Sequence, residues 1–201
     1  MPDTGAPWNI PFLDGTELVR AYPDFSEDLA DAVADGLSAA GNAGIGSNVV
    51  QTAKTDVFTT TSTSFTNVTG LSATITPSSA TSKVLVIAQL AIAYQSNVQI
   101  GHWRISGGNA TAYVGDAGGS RVRAVFGGWN ESNMRNALGS FSIVYLDSPE
   151  TTSATTYNVQ TMRGSALSAT VTLNQSAGDA DADNNVRTRG ASSITVIEVA
   201  V

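Results

Sequence analysis

The side chains that could do chemistry in this sequence are few and loosely spaced. His102 is the one histidine, and there is no cysteine. A Ser-His-Asp arrangement would need His102 as its base. It stands in Ile100-Gly101-His102-Trp103-Arg104, a strand-like stretch with no nucleophile-elbow pattern beside it. Paired carboxylates for glycoside cleavage could come from Asp116, Glu131, Asp147 and Glu150, which fall in or near expected loops, but no spacing singles out a pair. Asp179, Asp181 and Asp183, followed by Asn184 and Asn185, begin like a calcium loop, because alternate carboxylates can converge on the cation. Gly190 then stands where the bidentate Glu belongs and Asn184 where the turn glycine belongs, so the reading is a solvated loop. Gly115-Asp116-Ala117-Gly118-Gly119-Ser120 could form a backbone nest for an anion. It lacks the lysine and following helix of a phosphate loop and reads as a connecting turn. The expectation is a chain with no catalytic residue, no metal and no cofactor, not an enzyme.

Aromatic rings beside amides and hydroxyls offer a different chemistry, the stacking and hydrogen bonding of sugar rings. Trp129, in the Gly-rich stretch Phe126-Gly127-Gly128-Trp129-Asn130-Glu131, is with Asn130 the candidate glycan contact. Its competing reading is a core or subunit-interface tryptophan. Trp103, within a strand pattern, reads as core.

Composition narrows the partners. The chain has 201 residues, ten Lys plus Arg against seventeen Asp plus Glu, a net charge of -7 and 42% hydrophobic residues. That suffices for one real core plus an appendage. Charged residues are only 13%, with Ser, Thr, Asn and Gly in their place, so the surface should depend little on ion pairs that salt can screen. The acidic balance argues against nucleic acid, whose phosphates need a basic face. No apolar run reaches the roughly 18 residues of a membrane span, and Met1 to Asn9 lacks the basic start and apolar core of an export signal.

The elements that would position these residues change character near Gly46. Prolines 2, 7, 11 and 23 keep the first segment extended, and an extended arm bearing Trp8, Ile10 and Phe12 needs a partner surface. A helix follows, capped at Asp24 or Ser26 and stopped by Gly41, with Phe25, Leu29, Val33 and Leu37 on one apolar stripe. The stripe must be covered, by a copy of the same helix or by the chain's own β domain. Asn42 to Ser47 reads as a hinge. Residues 1–47 are thus an anchoring and oligomerising segment, and residues 48–201 a β domain.

In that domain the period is two. About ten strands are predicted, at Val49–Lys54, Val57–Val68 with Leu71, Ala73 and Ile75 continuing its pattern, Lys83–Tyr94, Gln99–Ile105, Thr111–Val114, Arg121–Phe126, Leu138–Leu146, Thr156–Met162, Ala169–Leu173 and Ser193–Val199, with a hairpin turn at Ser106-Gly107-Gly108-Asn109. Lys83–Tyr94 is apolar on both faces, the mark of a central strand covered on both sides. The fold class predicted is an antiparallel β-sandwich or jelly roll preceded by an extended arm and one short α-helix.

The stretches NVVQTAKTDVFTTTSTSFTNVTGLSATITP, KVLVIAQ, GDAGGSRVRAVF, LDSPETTSATTYNVQ and SSITVIEVA resemble a β domain common in bacteriophage structural proteins, especially marine ones. The opening PWNIPFLDGTELVRAYPDFSEDLADAV is similar to the starts of phage tail-associated proteins. The resemblance implies a virion protein with a jelly-roll-like head, usually a homotrimer, joined by its arm to other proteins of a tail, collar or head. A receptor-binding tip recognising host-surface glycan is the alternative it leaves open.

Overall fold

The computed structural model describes residues 29–35, 45–94, 100–129, 138–164, 170–176 and 187–200. The chain divides into two units, Met1–Ala43 and Gly44–Val201. In the first, residues 29–35 are helical and exposed throughout, with Leu29 56% and Val33 51% accessible. Trp8, Ile10, Phe12, Phe25 and Leu37 lie outside the described residues.

Among the described residues the second unit holds ten strands: β1 (Ile45–Lys54), β2 (Phe58–Thr60), β3 (Thr66–Ile75), β4 (Lys83–Tyr94), β5 (Ile100–Ser106), β6 (Phe126–Trp129), β7 (Gly139–Asp147), β8 (Thr155–Arg163), β9 (Val171–Leu173) and β10 (Ser192–Val199). They form two antiparallel sheets packed as a β-sandwich. Sheet A is organised around β4, which pairs with β7 along one edge and with β10 and β9 in succession along the other. β9 and β10 therefore lie on one line, Leu173 opposite Ile92 and Ser193 opposite Gln89. β1 pairs with β10 and β2 with β9, so they too share a line. Sheet B has the order β3-β8-β5-β6.

Alternation fixes which side chains enter the core. β4 buries Val84, Val86, Ala88, Leu90 and Ile92, and β10 buries Ile194 and Val196. From sheet B come Val68, Leu71, Ala73, Ile75, Trp103, Ile105, Tyr157 and Val159. Trp103 is fully buried, as its place in a strand predicts. Phe126 stacks on it with centroids 6.4 Å apart and on Phe141 at 5.1 Å, linking β6 to β7 across the side of the sandwich where both are edge strands.

Three departures from the strand pattern have identifiable physical causes. The expected single strand Val57–Val68 is two, β2 in sheet A and β3 in sheet B. Between them Ser62 N–H donates to Thr60 Oγ1, and Ser64 N–H to Ser62 Oγ, so hydroxyls replace ladder partners and the chain changes sheets. The expected hinge is partly strand, because β1 pairs with β10 out to Ile45 through a register shift between Ile45 and Val49. β3 runs on through Thr69 and Gly70 to Ile75, in line with the continued alternation, although its pairing with β8 shifts there and Gly70 takes φ 78°.

The last departure is the expected hairpin partner Thr111–Val114, which forms no strand. Gly107 and Gly108 have φ of 115° and 49°, and the chain continues into a short 3-10 turn at Ala110–Ala112. The partners of β5 are instead β8 and β6, so the strand expected at Arg121–Phe126 forms only at Phe126–Trp129. A Cβ on Gly107 would overlap the Thr156 carbonyl oxygen, whereas one on Gly70 would have only the Lys54 ammonium nearby, at 3.6 Å. Gly107→Ala should therefore cost about 3 kcal/mol or more, and Gly70→Ala only the left-handed backbone cost of roughly 1–2 kcal/mol. Equal losses in chemical denaturation would contradict this assignment of the turn.

Candidate functional site

The residues nominated for chemistry do not converge. His102 is half-buried on β5, opposite Met162 and Gly127, and desolvation lowers its pKa. Asp116 and Glu150 are exposed. Asp147 is fully buried at the end of β7, where it accepts hydrogen bonds from the Tyr157 hydroxyl at 2.6 Å and the Asn109 N–H at 3.2 Å. Burial and the carboxylate together push the Tyr157 phenol far above its ordinary pKa. Glu131, Asn130 and Asp179 to Asp183 lie outside the described residues, as does the Trp129 side chain. The Trp129 backbone is not in a loop as expected but ends β6, opposite Ile100. Among the described residues no three His, Asp or Glu side chains come together as a metal site would require.

What the fold does assemble is two outer faces of opposite character. On sheet B the outward positions are polar except for Met162, which pairs with His102. Gln160 of β8 stands between Asn67 of β3 and Arg104 of β5, donating through Nε2 to Asn67 Oδ1 at 2.8 Å and accepting at Oε1 from Arg104 Nε at 2.8 Å. The Arg104 guanidinium lies 4.0 Å from the Phe65 ring centroid, a cation–π contact that holds its plane. Thr74 and Thr156 share a hydroxyl hydrogen bond at 2.7 Å on the same face. Short-range motifs could not reveal this row, because its members are brought together only by strand register.

On sheet A the outward positions divide into an apolar and a polar half. Register aligns Val49, Ile197, Leu85 and Leu146 in one row across all four strand lines, with Ile87 and Val144 paired in the next. Val49 is 50% exposed, Val144 52% and Leu146 45%. In the polar half Gln51 donates to Thr195 Oγ1 at 2.8 Å, Gln89 donates to Ser140 Oγ at 2.5 Å, and Ser142 donates to Gln89 Oε1 at 2.5 Å. The sequence signal for this face was present in the two-sided apolar pattern of Lys83–Tyr94. Sheet B covers one side of that strand, while on the other Leu85 and Ile87 are only half-buried.

Buried polar side chains hold the loops to these sheets. Asn174, in the left-handed region at φ 64°, sits where the chain leaves the β9 line. Its Nδ2 donates to the Lys54 and Asp56 carbonyls, its Oδ1 accepts from Ser192 Oγ at 2.6 Å, and its N–H donates to the Ala91 carbonyl. Beyond it Gln175 pairs with Arg189, and Gly190 N–H donates back to the Asn174 carbonyl before β10 begins. Lys54 is buried with its ammonium 2.7 Å from Asp56, and the hydrogen bond from that ammonium is the main cause lowering the Asp56 pKa.

Glu198 of β10 is buried and gathers the β3–β4 connection and β1. Its Oε1 accepts from Ser78 N–H at 2.7 Å and Ser78 Oγ at 2.5 Å, and its Oε2 from Asn48 Nδ2 at 3.2 Å. Burial alone would raise its pKa, but hydrogen bonds from Ser78, Ser82 and Asn48 outweigh that and hold it at about 2.

No protein-family model matches this chain, and no curated protein sequence matches it. No helix among the described residues is long and apolar enough to cross a membrane.

A depressed folded pKa means that the ionised Glu198 stabilises the fold fully above its ordinary value of 4.5 and progressively less as pH falls toward about 2. Glu198→Gln should cost about 1.5–3 kcal/mol near neutrality through loss of charge-assisted hydrogen bonds. It should also flatten the pH dependence of stability across that acid window. Urea titrations from pH 7 to pH 2 check both, and an unchanged acid slope in the variant would remove Glu198 from this role.

Proposed function

We propose that the protein is a non-enzymatic structural component of a phage particle, in which the N-terminal segment attaches a trimeric β domain to the tail, collar or head. The observation that carries this reading is the strand order. Counting β1 with β2 and β9 with β10 as the continuous lines they form gives eight strands, ordered 1-8-3-6 in one sheet and 2-7-4-5 in the other. That order supports reading the domain as a double-sheet jelly roll, an architecture used by viral capsid and lectin domains. The resemblance of the strand sequences to phage structural proteins supports the same reading. So does a first unit whose described helix leaves Leu29 and Val33 exposed. Fold alone does not define function, and the viral reading rests on strand order and resemblance together.

The polar outer face of sheet B favours a second reading, a receptor-binding tip that recognises host-surface glycan. Amides, hydroxyls and a guanidinium placed over Phe65 are groups that sugar hydroxyls bond to.

The anchoring reading predicts that a chain beginning at Asn48 keeps a cooperative melting transition but is not incorporated into particles. Trp8→Ala with Phe12→Ala in the full chain should reduce incorporation without shifting the melting temperature. Incorporation of the shortened chain at normal copy number would overturn the role of the first segment.

A further inference from the structure

We infer that the outer face of sheet A, centred on Leu85, Ile87, Val144 and Leu146, is the surface on which one copy of this chain packs against a second copy. The inference rests on the oligomeric reading above and adds to it the surface that makes the contact. Three observations carry it. First, β4 is apolar on both sides, and sheet B covers only one of them. The other side continues into exposed Val49, Val144 and Leu146, so the apolar row spans the sheet from edge to edge. Four strand lines at about 4.8 Å spacing make a flat stripe, which suits another sheet face better than a single inserted peptide.

Second, the side chains of Gln51, Thr195, Gln89, Ser140 and Ser142 in the polar half of the face hydrogen-bond to one another. Covering it strands few hydrogen-bonding groups, which is the usual obstacle to burying polar surface.

Third, the charge pattern selects the occupant. The chain carries a net charge of -7, yet Lys83 is the one charged residue among the outward positions of β1, β10, β4 and β7 from Val49 onward. Two acidic copies repel wherever their charged surfaces meet and can approach closely where both are neutral. In a trimer each copy turns this neutral, half-apolar stripe toward its neighbours. A basic partner would find no carboxylates here, and an acidic one would find only Lys83. Sheet B, with Arg104 and His102 on its outer face, stays outside the contact.

The test is the light-scattering mass of the full-length chain across micromolar concentrations, with Val144→Asp, Leu146→Asp and, on sheet B, Thr74→Asp. Val144 and Leu146 are about half exposed, so a single copy should accommodate a carboxylate there. A carboxylate at the contact should raise the dissociation constant by at least about tenfold, since it would be buried unpaired. The expected result is a multi-copy mass for the wild type and for Thr74→Asp, and a monomer mass with unchanged circular dichroism for the two sheet A variants. Should either fail to fold, Val144→Thr and Leu146→Ser replace them, and weaker association is again expected. An oligomer indifferent to every sheet A substitution, or one dissociated equally by Thr74→Asp, overturns the assignment of the face while leaving oligomerisation standing. A monomeric wild type overturns the oligomeric reading and this inference with it.

Discussion

The register of β4 is the constraint from which the rest of the domain follows. It is the strand of sheet A that pairs with three others, and its neighbours β10, β9 and β7 take their positions from it. Because side chains alternate, a slip of one residue would turn Val84, Val86, Ala88, Leu90 and Ile92 to the outside and carry Lys83 and Gln89 into the core. The inner set packs against Trp103, Ile105, Tyr157 and Val159 of sheet B, and each fully buried large side chain contributes roughly 1.5–3 kcal/mol of transfer free energy. The same alternation places Leu85 and Ile87 on the outer surface. One register therefore produces both the core and the apolar face.

Buried polar groups make the connections as specific as the strands. Asp147 ties the turn after β5 to Tyr157 of β8, and Glu198 ties the approach to β4 to the last strand. Asn174 fixes the point where the chain leaves the β9 line, and β10 takes up the same line later in the chain. Loops hung from a rigid sandwich in this way can vary independently of it, which suits a scaffold displayed on a particle.

Regular strands were legible in the sequence because they obey a local rule. Lys83–Tyr94 has the bounds that its pattern predicts, and Ser193–Val199 differs from β10 by a single residue at its start. Errors arose where tertiary context overrode pattern. The 57–68 stretch alternates without interruption, yet serine and threonine hydroxyls bend it from one sheet into the other. Thr111–Val114 has strand-like residues, but the turn before it is shaped by close approach to Thr156 and Asp147, which no local spacing encodes. The two outer faces were harder still. Asn67, Gln160 and Arg104 become neighbours only through the pairing of β3, β8 and β5, and the sheet A row only through four registers at once. The two-sided apolar pattern of β4 was the one local hint, and it announced that a cover was needed without naming it.

The central claim, that this chain is an assembled part of a phage particle, is tested most directly by a three-dimensional image reconstruction of that particle. The account predicts density for the eight-line sandwich at symmetry-related positions on the tail, collar or head, with the outer face of sheet A turned toward a neighbouring copy. Particles that lack this density, with the chain found only free and monomeric in the infected cell, would contradict it.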